Sequence, residues 1–272
     1  MLELEHLSYW YKERYPVIQD LSLNISRGRI YGLLGINSVG KTTLLNLISG
    51  LLFPKAGHVL IDGKDVARRE PETLCKIALM PSEIGFRSSL SIGDYVRAYS
   101  GFYPNFNREI LDSCLDAFGI GPEAGTPAEM SLGQKHKVML SILLSLGTDI
   151  ILLDEPLNGM DIPSRSVFRK QMVRHLRDDQ TVIISSHIVS DIENLITDVI
   201  ILKEDGSCFS RSLGSVSAEY AFGISGTPAD AIYSEPCSEG FRVIREKDPG
   251  DETETEVSLE MLFNAVIKGI IK

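Results

Sequence analysis

The run Gly35-Ile36-Asn37-Ser38-Val39-Gly40-Lys41-Thr42 has the spacing G-x-x-x-x-G-K-[ST], which suits a loop that wraps the phosphates of a nucleotide. Its glycines let backbone N–H groups converge on phosphate oxygens, and a helix starting where the loop ends adds its positive dipole end. In such a loop Lys41 reaches the terminal phosphates and the Thr42 hydroxyl takes Mg²⁺, with Asn37, Ser38, Val39 and Thr43 completing the cradle. A second group of residues lies further along, where Ile150-Ile151-Leu152-Leu153 leads into Asp154-Glu155-Pro156. The pleat of a strand places Asp154 beside the Mg²⁺ shell and turns Glu155 elsewhere, free to orient or deprotonate an attacking water. Acid pairs at strand ends are also common on surfaces. The four apolar residues in front of this pair, in a chain with a phosphate loop, favour the catalytic assignment. Three smaller features accompany them: Ser131-Leu132-Gly133-Gln134 ahead of Lys135, His136 and Lys137; Asn158-Gly159-Met160-Asp161; and His187 after an apolar run. Taken singly each has a plainer explanation, Ser131 as a helix N-cap and His187 as a strand-end histidine.

Strands and helices must hold these groups. Residues 29–34 read as a short buried strand into the loop, and apolar positions 44, 45, 47, 48 and 51 give the following segment a helical stripe. Residues 150–153 and 182–185 are continuous apolar runs, as expected of a parallel sheet covered on both faces. Residues 2–27 alternate as strands, and Val59-Leu60-Ile61 reads as another strand before Asp62-Gly63. From about 91 to 146 the pattern is helical, interrupted at Pro104, Gly121-Pro122 and Gly125-Thr126-Pro127. Beyond 210 the chain turns rich in Ser, Gly, Pro and acids, with weak strands near 231–233 and 241–244 and an exposed hairpin or loop over 248–256. A clear helical stripe over 258–271 closes the chain, with Ser258 as its expected N-cap. That stripe is assigned to packing on its own domain, because its polar face has too few lysines for a membrane surface.

The 272 residues suffice for one large domain with an appendage or for two modest domains. A formal net charge of −10 argues against a general nucleic-acid binder. Cys75, Cys114, Cys208 and Cys237 form no zinc, redox or disulfide spacing, which points to a reducing cytoplasm. The opening residues lack the pattern of a signal peptide, and the longest apolar stretch, 142–153, is broken by Gly147, Thr148 and Asp149. Any membrane crossing is therefore expected from another chain.

The ordered set of motifs resembles the ATP-binding-cassette (ABC) ATPases, over residues 1 to 210 or so. The resemblance implies a phosphate-loop (Walker A) α/β core with a mostly parallel sheet, an N-terminal antiparallel β subdomain and a helical subdomain near 84–146. Residues 211–272 are left as a small α+β appendage. It further implies ATP and Mg²⁺ as ligands, Asp154 at the end of the Walker B strand, Glu155 as catalytic glutamate, and His187 as switch histidine. Ser131 to Gln134 corresponds to the signature motif and Asn158 to Asp161 to the D-loop. Tyr11 stands where the family stacks a ring on adenine, with Tyr9 and Trp10 as neighbouring candidates. Because phosphate loop and signature lie on opposite faces in the family, a complete site takes two cassettes head to tail. Ser131, Gly133, Gln134 and Asp161 of one chain then close on nucleotide held by another. Such a pair works on the inner face of the cell membrane through a separate transmembrane permease, to which residues 86–101 are expected to dock. The aromatics Phe86, Tyr95, Tyr99, Phe102 and Tyr103 suit either that docking surface or the helical core equally.

Two positions depart from the family pattern. Leu132 replaces the first signature glycine, and the form Ser-Leu-Gly resembles bacterial exporters of antibiotics, peptides or lipids. Ser82, followed by Glu83, occupies the place of the usual metal-sensing glutamine. Metal contact there passes through Ser82 and a water or through Glu83, and hydrolysis is expected to persist but to be slow without a partner. The leading expectation is the ATPase subunit of a bacterial exporter. A soluble ABC ATPase acting on nucleic acid or ribosomes, or a regulatory nucleotide switch, are the alternatives. The former usually carries paired cassettes, coiled coils or zinc motifs, and the latter has no need of Glu155 and His187.

Overall fold

Period-two alternation carries the chain into its first sheet. The computed structural model describes residues 1–12, 15–121, 125–248 and 255–272. Strand β1 (Leu2–Lys12) pairs antiparallel with β2 (Tyr15–Ile25), so that Leu2, Leu4 and Leu7 face Ile25, Leu23 and Leu21 on the buried side. The chain then enters β3 (Ile30–Leu34) and, after the phosphate loop, helix α1 (Lys41–Ile48), whose leucines are buried. Strands β4 (Ala56–Ile61) and β5 (Lys64–Asp65) return to the other edge of β1, giving a four-stranded sheet ordered β2-β1-β4-β5.

The central sheet follows. A short helix α2 (Pro71–Leu74) leads to β6 (Ile77–Met80). Helices α3 (Ile92–Ser100), α4 (Arg108–Ala117) and α5 (Leu132–Ser145) come next, each started by a side-chain cap: Ser91, Asn107 and Ser131. Then β7 (Ile150–Asp154), α6 (Ile162–His175), β8 (Thr181–Ser185), β9 (Asp198–Leu202) and β10 (Cys208–Ser212) complete six strands ordered β10-β9-β3-β8-β7-β6. All pairs are parallel except β9 with β10. Every residue of β7, β8 and β9 is buried, because both faces are covered. Ile151 and Leu153 point into a core shared with α5 and α6, while Ile150 and Leu152 point into one shared with α1 and the N-terminal sheet.

Helix α7 (Leu213–Glu219) leads to β11 (Tyr220–Ser225), β12 (Tyr233–Cys237) and β13 (Gly240–Glu246), a three-stranded antiparallel sheet with β13 central. Helix α8 (Leu259–Ile267) is shorter than the stripe over 258–271 predicts, since Gly269 takes the left-handed conformation at φ 72° and stops it. Ser258 makes no side-chain cap; the Leu259 N–H donates instead to Glu193 Oε1 at 3.0 Å. The weak strand expected at 231–233 begins only at Tyr233. Most of the loop expected over 248–256 lies outside the described residues. Helix α8 buries Leu259, Leu262 and Val266 in the same core as Ile192 and Ile196, the segment that follows His187.

Phe86, Tyr95, Tyr99 and Tyr103 pack part-buried on the helical core, Phe86 and Tyr95 edge to face at 4.9 Å, while Phe102 is left 76% exposed. Phe168 on α6 is wholly buried beneath the sheet. Phe168→Ala is therefore expected to lower the unfolding free energy by about 3–5 kcal/mol, read from urea denaturation followed by circular dichroism.

Candidate active site

Strands β3, β7 and β8 run parallel and end at one edge, so the segments that follow them meet there. After β3 the chain needs left-handed backbone to turn back into α1. Ser38 has φ 66° and Gly40 φ 113°, and a Cβ on Gly40 would stand 2.9 Å from Val17 Cγ1. Lys41 is nearly buried and its ammonium donates to the Gly35 and Ile36 carbonyls at 2.7 and 3.2 Å, inside its own loop. Burial lowers its pKa, opposed by the charges of Glu155 and Asp154. The loop lines a cleft of about 440 Å³ with Tyr11, Val17, Thr43, Asp154 and Glu155 on its other walls. A groove of about 780 Å³ between β1–β2 and β10 is larger, but its formally charged lining is Glu3 and Glu5, which repel a polyphosphate.

Asp154, 2% exposed at the end of β7, accepts hydrogen bonds on both carboxylate oxygens. The Thr42 hydroxyl donates to Oδ2 at 2.7 Å and the Ser185 hydroxyl to Oδ1 at 2.5 Å. Glu155 has φ 50°, unusual for a residue with a side chain, and its N–H donates to Ser185 Oγ at 3.0 Å. The pleat thus separates the two acids, and Glu155 Oε2 lies 2.7 Å from His187 Nδ1. The Tyr11 hydroxyl meets Thr43 Oγ1 at 3.2 Å, with its ring 62% exposed on the cleft wall, whereas Tyr9 is buried beneath it. Thr42 and Asp154 offer hard oxygen donors side by side, which fits Mg²⁺ held by one or two protein oxygens and substrate phosphates. Among the described residues no cluster of three or more His, Cys, Asp or Glu side chains competes as a metal site.

Other residues singled out in the sequence stand apart from this cleft. Ser131 and Gln134 cap α5 reciprocally, the Ser131 hydroxyl accepting from the Gln134 N–H and the Gln134 amide accepting from the Ser131 N–H. Asp161 caps α6 by accepting from the Ser164 N–H at 2.8 Å. Gly133 packs on the D-loop of its own chain: a Cβ there would stand 2.4 Å from the Gly159 carbonyl oxygen. None of these four residues lines the cleft, nor do Ser82 and Glu83.

Two residues of the site escaped sequence reasoning. Ser185 showed only as a polar residue closing the run Val182-Ile183-Ile184. His136 was legible as one residue of a polar helix start, yet it is wholly buried and hydrogen-bonds the Pro156 carbonyl through Nδ1 at 3.2 Å. That bond ties α5 to the turn after β7, while the buried Nε2 has no hydrogen-bond partner among the described residues. Burial lowers its pKa, against the opposing pull of the Pro156, Ser82 and Asn158 backbone.

The ABC transporter family profile matches residues 18–158. The chain is 31% identical over 221 residues to the ABC transporter ATP-binding protein YtrB of Bacillus subtilis, covering 81% of this chain and 75% of that protein. It is 29% identical over 196 residues to the lantibiotic transport ATP-binding protein SrtF of Streptococcus pyogenes, covering 72% of this chain and 83% of the other. The dimeric structure of a bacterial ABC transporter cassette shares the fold, with a TM-score of 0.68 at 22% identity over 78% of this chain and 99% of that one.

The buried His136 predicts a pH dependence. An unfolded histidine protonates near pH 6.5, whereas His136 in the fold resists protonation until lower pH. The unfolded state then binds more protons below that value, so stability falls as pH drops from about 6.5, by at most about 1.4 kcal/mol per pH unit from this residue. Urea denaturation of wild type and His136→Gln at pH 7.5 and 5.5 is expected to show a smaller acid loss in the variant.

Proposed function

Because this chain belongs to the ABC transporter family and is an ATP-binding, ATP-hydrolysing member of it, we propose that it drives a bacterial exporter as one of two cassettes closing on ATP. The observation that carries the reading is the continuous line Thr42–Asp154 and Glu155–His187, at 2.7 Å in each pair, beside the buried Lys41. Lys41 exchanges its carbonyl partners for the β- and γ-phosphate oxygens, while the loop N–H groups hold the rest of the triphosphate. Thr42 and Asp154 hold Mg²⁺, which when bound neutralises charge on the phosphates. Glu155 orients the attacking water and accepts its proton, and His187 keeps the Glu155 carboxylate aimed. Water oxygen bonds to the γ-phosphorus as the bond to the β,γ-bridging oxygen breaks, leaving ADP and phosphate. Tyr11 supplies an exposed ring for adenine.

The second half of the site comes from another chain. Ser131, Gly133, Gln134 and Asp161 stand at helix starts away from the cleft, where α5 aims a positive dipole end outward. Leu132 at 43% and Ile162 at 82% exposure sit beside them, apolar surface suited to a partner. Among the described residues no helix is long and apolar enough to cross a membrane; in this reading a permease supplies the crossing and this chain works at the membrane through it. The Ser-Leu-Gly signature and the likeness to a lantibiotic transport protein support export. Net charge of −10 disfavours a role on nucleic acid or ribosomes.

Glu155→Gln is expected to slow ATP hydrolysis by about 10²–10⁴-fold while ATP binding persists and a dimer becomes visible by gel filtration. Unchanged turnover in this variant removes Glu155 from the mechanism. Detergent extraction of native membranes with tagged chain is expected to yield a multi-span hydrophobic protein in stoichiometric amount. Recovery of ribosomes or nucleic acid in its place would overturn the transport reading.

A further inference from the structure

After Thr181, strand β8 is apolar up to its last residue, and that residue, Ser185, is fully buried. A buried hydroxyl destabilises a strand unless it is hydrogen-bonded. Here both of its capacities are used at the reaction centre: it donates to Asp154 Oδ1 at 2.5 Å and accepts from the Glu155 N–H at 3.0 Å. Asp154 is the direct parallel-strand neighbour of Ser185, and Leu33, the penultimate residue of β3, is its neighbour on the other side. One hydroxyl is therefore shared by the two acids, at the strand that stands between them and the phosphate loop.

The arrangement has two consequences. The Asp154 carboxylate is held at Oδ1 by Ser185 and at Oδ2 by Thr42. When the Thr42 oxygen turns to a cation, Ser185 is the group that still fixes the carboxylate plane. Glu155, meanwhile, keeps a left-handed backbone at φ 50°, and its N–H is satisfied by the hydroxyl and carbonyl of Ser185. A residue in that region persists only where its surroundings over-determine it. Removing the hydroxyl loosens the Asp154 carboxylate and the turn that aims Glu155 together.

We propose that Ser185 is a positioning residue for hydrolysis, presetting Asp154 for the divalent cation and fixing the Glu155 turn without itself touching nucleotide or cation. This rests on the reading of Asp154 as the residue that holds Mg²⁺. A group one hydrogen bond removed from a metal ligand commonly shifts metal affinity or activity by about 10–100-fold.

The test is calorimetric titration of the non-hydrolysable analogue AMP-PNP, in EDTA and across a Mg²⁺ series, with steady-state ATPase measured in parallel. For Ser185→Ala, AMP-PNP affinity in EDTA is expected to stay within about twofold of wild type, while the Mg²⁺ concentration for half-maximal enhancement rises about tenfold or more. The kcat falls by a similar factor and the KM for ATP changes little. A wild-type Mg²⁺ response overturns the proposal. So does an equal loss of affinity in EDTA, which marks general damage to the cleft. Should Ser185→Ala fail to fold, Ser185→Cys keeps the size and weakens the donor, and the same outcomes decide. Asp154→Asn is the control for the underlying reading. If it leaves the Mg²⁺ response intact, the assignment of Asp154 fails; if it abolishes the response while Ser185→Ala does not, only the role of Ser185 fails.

Discussion

One carboxylate joins the three segments that make the cleft. Asp154 takes a hydrogen bond from Thr42 at the start of α1 and another from Ser185 at the end of β8, while it closes β7 itself. This is possible because β3, β8 and β7 are adjacent and parallel, so their C-terminal ends reach the same edge in register. Antiparallel neighbours would send alternate ends to opposite edges. The cost of holding an acid in so buried a place is offset by donors on both oxygens and by the nearby ammonium of Lys41.

From that point the structure spreads outward in layers. The apolar residues of β7 and β8 alternate between two cores, one built with α1 and the N-terminal sheet, the other with α5, α6 and α8. Each core therefore braces a different wall of the cleft. The second also carries the segment after His187, where Arg165 pairs with Asp191 and Glu193 accepts from the start of α8. Residues at the far C-terminus are in this way packed against the element that brings His187 to Glu155.

The helix starts that bear Ser131 and Asp161 show a different economy. Their side chains cap their own helices, and Gly133 lies so close to the Gly159 carbonyl that only glycine fits. His136 adds a buried contact between α5 and the turn after Glu155. The start of α5 is thus packed on the segment after Glu155 in the same chain, a contact that in the proposed pair of cassettes would join the two nucleotide sites.

Much of this was legible in the sequence, because the groups concerned act through short-range rules. The phosphate loop between strand and helix, the continuous apolar runs of β7 and β8, and the cap at Ser131 all follow from local spacing and period. The helical subdomain and the antiparallel N-terminal sheet were readable for the same reason. Tertiary structure alone decided the rest. Gly269 shortened α8 and Glu193, distant in sequence, replaced Ser258 as its cap. Of Phe86, Tyr95, Tyr99, Phe102 and Tyr103, four pack part-buried against the helical core and Phe102 stays exposed. Ser185 and His136 look ordinary in the linear chain, since neither a hydroxyl ending a strand nor a histidine starting a helix carries a signal of its own. Their roles arise from partners that strand register and helix packing bring within hydrogen-bond range. Local chemistry marked the residues proposed to bind and react, and long-range packing decided how they are held.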